Sequence, residues 1–256
     1  MPDAFSRIAA LFRALGPKTA VLYLLFRTME WLRLPVRVYC YRLIAQPVPS
    51  APRLKGERGN SLVGREIGPE DSALAEMPLE QETLDHRFGQ GARCLGLFRE
   101  QALVAYIWLT LGAYEEDEVR CRFVPLPEGR ASWDFDLYVL PAYRLSPAFL
   151  KMWDVADAFL REHGVAWSCS RISAFNLSSV RSHARLGGVD LGGADFLVAG
   201  PVQILLSSRA PWVHITATRR SRPVVPLDTS MAESGPRTAA PQAAAPAVGA
   251  DTSKGR

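Results

Sequence analysis

The chain has 256 residues, of which 48% are hydrophobic and 22% are charged, proportions that are ordinary for a globular protein. Its net charge of +4 is too small to indicate a nucleic-acid partner, so none is expected. The four cysteines are widely spaced without a CxxC pair, and histidine is scarce, so neither a metal site nor a disulfide framework is predicted. Free cysteines fit a reducing cytosol.

The first 46 residues are apolar, aromatic and basic, and they predict two helices. One apolar stripe comprises Ile8, Leu11, Phe12 and Leu15, and a second comprises Val21, Leu24, Leu25, Thr28, Met29 and Leu32. The longest uncharged run, Thr19 to Phe26, is far shorter than the roughly 20 residues that span a bilayer. No small-residue cleavage site follows an apolar core, so a secretory signal is not expected either.

Two interpretations of this segment stay open. In the first, residues 1–46 lie in the interface of a membrane, with their arginines and lysine facing anionic lipid. In the second, both helices pack on the domain and complete its core. We therefore expect a cytoplasmic protein, which is peripheral on the inner face of the cytoplasmic membrane if the first interpretation holds.

The remaining elements predict an α+β domain. The predicted strands cover residues 36–44, 62–67, 93–98, 103–111, 133–140, 165–172, 196–207 and 212–218. One predicted helix begins at residue 69, and three more cover residues 80–88, 147–163 and 177–186. We expect a mixed, mostly antiparallel sheet with helices on both faces in residues 51–218, after an N-terminal helical extension in residues 1–50. Residues 219–256 are poor in aromatic residues and are predicted to be disordered.

Acidic residues occur in two informative places. The run Glu115-Glu-Asp-Glu118 predicts a solvated loop, with a cation-binding patch as the alternative. The strand around residues 133–139 alternates, which predicts Asp134 and Asp136 on one face and the aromatic residues on the other.

Two blocks of sequence carry a resemblance to a known family. Leu137-Tyr-Val-Leu-Pro-Ala-Tyr-Arg144 predicts a strand that runs into a turn. Asn176-Leu-Ser-Ser-Val-Arg-Ser-His183-Ala-Arg-Leu-Gly187 predicts a polar turn and a helix that closes on glycine. Separated by one amphipathic helix, these blocks resemble the acyl-CoA-binding half of the GNAT N-acetyltransferase superfamily. The resemblance covers roughly residues 63–215 and is sharpest over residues 136–188.

The resemblance implies where acyl-CoA binds. In this superfamily the fourth strand bulges and separates from the fifth, and the pantetheine arm fills the gap, so backbone groups of Leu137, Tyr138 and Val139 are the candidates here. Arg144 and Ser146 match the turn that holds the pyrophosphate, although Pro147 and Phe149 stand where glycines are usual. The structural alternatives are a surface arginine and a serine that only caps the helix.

The second block supplies further implied site residues. Asn176 matches the side chain that bonds the pantetheine arm, and Ser179 matches a small position on the next helix. His183 stands where many members have the tyrosine that protonates the leaving thiolate, and a helix histidine bonded to solvent is the alternative. Asp136 and Asp134 match the carboxylate that takes the proton of the amine, and two solvent-facing aspartates are the alternative.

These matches imply an acyl-CoA-dependent N-acyltransferase. The expected co-substrate is acetyl-CoA or another acyl-CoA, with no metal, and the acceptor is an unidentified amine from a small molecule or a cell-envelope precursor. The alternative is a non-catalytic module with the same fold that binds a membrane or a protein partner.

Overall fold

The computed structural model describes residues 4–218 and 221–234. The strands are β1 (Val36–Pro47), β2 (Leu62–Ile67), β3 (Arg93–Arg99), β4 (Ala102–Thr110), β5 (Tyr114–Glu115), β6 (Arg122–Leu126), β7 (Ala131–Val139), β8 (Trp167–Ser173), β9 (Val189–Ala199), β10 (Val202–Ser207), β11 (Val213–Thr216) and β12 (Val224–Asp228). The helices are α1 (Ala4–Leu15), α2 (Pro17–Trp31), α3 (Gln81–Gly89), α4 (Ala148–Glu162), α5 (Leu177–Arg185) and α6 (Ser230–Ser234), with short 3-10 helices at Ser72–Glu76 and Pro141–Tyr143.

Nine strands form one sheet in the order β11-β10-β9-β1-β8-β7-β4-β3-β2. Neighbouring strands in this sheet are antiparallel, except that β7 and β8 run parallel. Three short strands form a second sheet in the order β12-β6-β5. The predicted α+β fold with a mixed, mostly antiparallel sheet is therefore confirmed.

Hydrophobic clusters cover both faces of the large sheet, as the prediction of helices on both faces requires. On one face, which we call the α4 face, α4 buries Met152, Trp153 and Leu160 against β3 and β4. On the opposite face, which we call the α3 face, Leu84 of α3 packs with aromatic side chains of the strands, Trp108 and Trp133 among them. The spacing of the buried residues on α4 gives it one apolar side, which explains why its prediction from sequence was accurate.

The strand β1 lies inside the large sheet. It pairs with β8 on one side and with β9 on the other. Its residues Cys40, Tyr41 and Leu43 are buried, as a central strand requires, because both of its faces are covered. The predicted boundary at residue 50 was wrong, because it assigns this central strand to the extension. Only α1 and α2 precede the sheet.

Part of the predicted disordered tail is folded. Residues Val224–Asp228 form β12, which pairs in parallel with β6, and Val225 and Leu227 are fully buried. The prediction was wrong for residues 224–234 because the average composition of the tail masks a short alternating stretch that long-range pairing stabilises. Residues 219–220 and 235–256 lie outside the described residues.

The helix α2 is held on the domain by one side. Ala20 is fully buried, and the rings of Tyr23 and Phe26 lie 5.3 and 6.0 Å from the ring of Phe175. No helix in the described ranges combines the length and apolar character needed to cross a membrane. This side of α2 therefore packs on the domain, as the second interpretation of the N-terminal segment expects.

Candidate active site

The strand β7 contains a bulge at Asp136. Its register against β4 shifts between the pair Trp108–Phe135 and the pair Tyr106–Tyr138, and Asp136 has a φ of 51°, in the left-handed region that non-glycine residues seldom adopt. One extra residue reverses the alternation of the side chains along the strand. Phe135 and Tyr138 consequently both pack on the α3 face.

The bulge overturns the prediction that Asp134 and Asp136 share a face. Asp134 is buried on the α4 face, where its carboxylate accepts a hydrogen bond of 2.6 Å from the hydroxyl of Ser168. Asp136 lies on the α3 face, where its carboxylate accepts a hydrogen bond of 2.7 Å from Arg87. Strict alternation holds only for a regular strand, so the sequence pattern could not anticipate this result.

Beyond the first three residues of β7, the parallel strands β7 and β8 separate. They pair only between Ala131–Trp133 and Trp167–Cys169, although both strands continue. The Leu140 N–H donates to the carbonyl of Val104 at 2.9 Å, so by antiparallel alternation the backbone groups of Leu137 and Val139 point away from β4, into the gap. Tyr138, the third predicted residue, instead directs its backbone towards β4.

The turn after β7 leads directly into α4. The hydroxyl of Ser146 donates to the carbonyl of Tyr143 at 2.7 Å and accepts from the Ala148 N–H at 3.2 Å, so it stabilises the start of the helix. Arg144 is exposed, lies over the ring of Tyr138 and donates to the carbonyl of Val139 at 3.3 Å. Its guanidinium therefore lies at the open end of the gap.

The turn after β8 lies at the same end of the gap. Asn176 is the N-cap of α5, and its side-chain oxygen accepts a hydrogen bond of 3.0 Å from the N–H of Ser179. Both residues were predicted from the second sequence block, and the structure brings them into direct contact. The amide nitrogen of Asn176 is the part of this side chain that the cap does not use.

His183 is buried rather than solvated. Its ring meets the ring of Trp153 edge-on, with 5.7 Å between the centroids, and its Nδ1 atom has no hydrogen-bond partner among the described residues. Burial, reinforced by the charge of Arg53, lowers the pKa of His183 to about 4. The imidazole is therefore neutral at pH 7 and carries no additional proton to give to a thiolate. These surroundings are those of a core histidine.

Asp134 should make stability depend on pH. Burial raises the pKa of its carboxyl from 3.8 to about 7, with the Ser168 hydrogen bond opposing the change. The unfolded chain loses this proton near pH 4 and the folded chain only near pH 7, so stability falls as the pH rises through that window. Asp134→Asn should therefore be more stable than wild type at pH 8, on the order of 2–4 kcal/mol, and nearly equal to it at pH 4.

Urea unfolding at the two pH values measures this difference. Asp190→Asn, which alters an exposed aspartate paired with Arg42, is the control and should show no such change. An equal difference between Asp134→Asn and wild type at both pH values would mean that the Asp134 carboxyl is already ionised at pH 4.

A cleft of about 630 Å³ opens on the α3 face beside the bulge. Arg87 lies in it, donating to Asp117 at 2.9 Å and to Asp136 at 2.7 Å, with its guanidinium against the rings of Trp108 and Phe135. Burial opposes the charge of Arg87, but the two carboxylates outweigh it and raise its pKa further. Acidic residues in the lining outnumber basic ones, with Glu80, Asp117, Glu118 and Asp136 against Arg87 and Arg171.

Asp117 and Glu118 of the acidic run line this cleft, so the run is not simply a solvated loop. The side chain of Glu116 is fully buried and forms an ion pair with Arg171, which also binds Glu118 at 2.6 Å and lies over the ring of Tyr41. Burial raises the pKa of Glu116 to about 7, against the opposing charge of Arg171. The sequence indicated neither Arg87 nor Arg171, because nothing local distinguishes them among many arginines.

The four cysteines are buried and free, and no group of three or more potential metal ligands occurs within residues 4–218 and 221–234. Burial raises the pKa of Cys169, which belongs to the core on the α3 face. A thiol in these surroundings is held protonated and is a poor nucleophile.

Several solved structures are similar in fold. A conserved protein of unknown function from Staphylococcus epidermidis is similar over 69% of this chain and 67% of its own, with a TM-score of 0.47 and 9% identity. A tandem GNAT protein from the clavulanic acid biosynthesis pathway is similar over 64% of this chain and 55% of its own, with a TM-score of 0.42 and 16% identity. An aminoglycoside acetyltransferase from an uncultured soil sample is similar over 50% of this chain and 88% of its own, with a TM-score of 0.35 and 13% identity.

No family model matches the sequence, and no curated protein is similar to it. The identities and TM-scores of the similar structures are low, so the fold is identified by features of this chain itself. The bulge in β7 and the gap between β7 and β8 are those that the sequence resemblance implied. In these two features the α+β fold of this chain resembles that of the GNAT superfamily.

Proposed function

We propose that this protein is an acyl-CoA-dependent N-acyltransferase that moves an acyl group directly from the thioester to an amine. The observation that carries the proposal is the bulge at Asp136 followed by the gap between β7 and β8. Backbone groups of Leu137 and Val139 face this gap, where the carbonyl of Val139 accepts a hydrogen bond from Arg144 and the other groups can bond a ligand. The amide groups of a pantetheine arm can supply those partners, as an added strand does at the edge of a sheet.

The open end of the gap suits the phosphates of acyl-CoA. Arg144 carries a positive charge there, and the first turn of α4 offers backbone N–H groups with the positive end of the helix dipole. Pro147 has no N–H, so this turn provides fewer donors than a glycine-rich one. The Asn176 amide can reach the pantetheine arm from the other side of the gap.

The acidic cleft suits the amine. A protonated amine is attracted by the carboxylates that line it, and one of these, Asp136, lies at the bulge beside the gap. In this arrangement Asp136 takes the proton of the amine, directly or through water, and the free amine attacks the thioester carbon. The carbon–sulfur bond then breaks, and the thiolate of CoA leaves and takes up the second proton of the amine through water. A backbone N–H directed into the gap polarises the thioester carbonyl. Acceptors to compare are small-molecule amines and amines of cell-envelope precursors.

Release of free CoA from acetyl-CoA in the presence of an amine panel tests the proposal, with longer acyl-CoAs as alternative donors. Calorimetric titration with CoA and with acetyl-CoA measures binding alone. Absence of binding by every acyl-CoA tested would refute the enzyme function. Binding without turnover on any amine would favour a non-catalytic module.

Asn176→Asp separates ligand binding from helix capping. The aspartate retains the oxygen that accepts from Ser179, so the unfolding temperature without ligand should stay close to that of wild type. It loses the amide donor and places a negative charge near the phosphates, so the stabilisation by acetyl-CoA in a thermal-shift titration should decrease. Asn176→Ala should differ by losing the cap as well, at about 1 kcal/mol. An unchanged acetyl-CoA titration for Asn176→Asp would exclude contact between this amide and the ligand.

A further inference from the structure

One side of α2 carries apolar side chains that the described residues leave uncovered. Val21, Leu25 and Leu32 are 55%, 41% and 51% exposed, and Trp31 at the end of the helix is 80% exposed. The helix is nevertheless docked through its other side, where Tyr23 and Phe26 pack on Phe175. The exposed stripe is therefore a surface of the folded protein.

A second uncovered apolar surface borders α2. On β10 and β11, Leu206, Val213 and Ile215 are 52%, 59% and 65% exposed. Lys18 of α2 forms an ion pair of 2.6 Å with Asp195, and Asp195 is the partner of Leu206 in the sheet register. Opposed residues of antiparallel strands point to the same face, so these residues and α2 lie on one side of the sheet. We call the set Val21, Leu25, Trp31, Leu32, Leu206, Val213 and Ile215 the apolar face.

The N-terminal segment that contains α2 is strongly positive. The first 46 residues contain seven basic and two acidic residues, so their net charge of +5 exceeds that of the entire chain, which is +4. Arg7 and Arg33 are exposed and form no ion pair with the described residues. Apolar side chains bordered by unpaired arginines are complementary to a bilayer whose surface is anionic. A second copy of the chain would instead bring another positive segment to the same face.

We propose that the apolar face docks on the surface of an anionic lipid bilayer. The apolar side chains enter the boundary between headgroups and acyl chains, and the arginines meet the anionic headgroups. Because α2 packs on Phe175, the residue before Asn176, the helix that carries the exposed stripe also contacts the turn at the open end of the β7–β8 gap. Docking itself requires no acyl transfer, so vesicle binding tests it independently of the proposed function.

Sedimentation of the full-length protein with vesicles provides the test. The protein should bind vesicles of phosphatidylcholine mixed with phosphatidylglycerol at low salt, bind phosphatidylcholine alone much more weakly, and be released as salt increases. Leu25→Glu and Ile215→Glu should each lower the partition coefficient by at least about tenfold, because a carboxylate replaces an apolar contact with an anionic surface. Arg33→Gln should lower it by about fivefold.

Val63→Glu is the matched control. Val63 is 63% exposed on β2, at the opposite edge of the sheet, so its replacement should leave vesicle binding unchanged. Unfolding midpoints should stay near wild type for all these exposed positions. Failure to bind anionic vesicles at low salt, or equal binding by Leu25→Glu and Val63→Glu, would overturn the proposal. A dimer in solution that Leu25→Glu and Ile215→Glu dissociate would overturn it too, by showing that a second copy covers the face.

Discussion

Asp136→Asn should lower the turnover of the amine by roughly 10²–10⁴-fold, the usual range for loss of a general base. Asparagine retains the shape of the side chain but cannot take a proton at neutral pH. Binding of acyl-CoA should change little, because the side chain lies in the cleft on the α3 face while the backbone of Leu137 and Val139 faces the gap. Release of CoA at saturating amine measures the turnover, and calorimetric titration measures the binding of acyl-CoA.

Asp117→Asn is the control for this variant. Asp117 binds the same guanidinium at 2.9 Å, so its replacement also removes one carboxylate from Arg87. If the ion pair alone matters, both variants should lose turnover equally, and proton transfer by Asp136 would be refuted. If Asp136 is the base, Asp117→Asn should affect chiefly the KM for the amine, through the weaker negative charge of the cleft. Wild-type turnover by Asp136→Asn would likewise exclude the role.

Arg171→Met should reduce the free energy of unfolding by about 3–5 kcal/mol at pH 8. Arg171 is the cation that compensates Glu116, whose side chain is fully buried, and it also binds Glu118 and covers the ring of Tyr41. Methionine fills similar space but leaves the carboxylate of Glu116 uncompensated in the core. Denaturant unfolding, with fluorescence as the readout, measures the loss.

Two further variants show whether the uncompensated charge is responsible. Glu116→Gln combined with Arg171→Met should recover part of the lost stability, because a buried amide costs less than a buried carboxylate. Arg222→Met removes a more exposed arginine from its ion pair with Glu115 and should cost no more than about 1 kcal/mol. If the double variant is as unstable as Arg171→Met, lost packing rather than charge explains the effect.

The location of β1 gives the N-terminal segment a structural role beyond that of an extension. The strand β1 lies between β8 and β9 and pairs with both. The helix α2, which precedes it, contacts the turn that contains Phe175 and Asn176. The segment thus connects the apolar face to the open end of the gap. The β-branched and aromatic residues at 36–44 predicted the strand, but its pairing depends on partners in β8 that are 120 or more positions away.

Elements with a local signal were predicted closely. The helix α4 differs from its prediction by one residue at each end, and β2 matches its prediction over Leu62–Ile67. Asn176 was singled out by its position in a block of sequence, and the structure adds that it caps α5 through Ser179. Periodicity and capping depend on residues a few positions apart, so the sequence alone contains the relevant information.

The chemistry of the site depended on contacts that only the folded chain creates. The bulge at Asp136 placed Asp134 in the core and Asp136 in the cleft, and His183 came to lie against Trp153. Arg87 is paired with Asp117 and Asp136, which are 30 and 49 residues away, and Arg171 is paired with Glu116, which is 55 residues away. Sequence patterns thus defined the elements and their approximate order, whereas long-range packing decided which charges are buried, which are paired and which face a substrate.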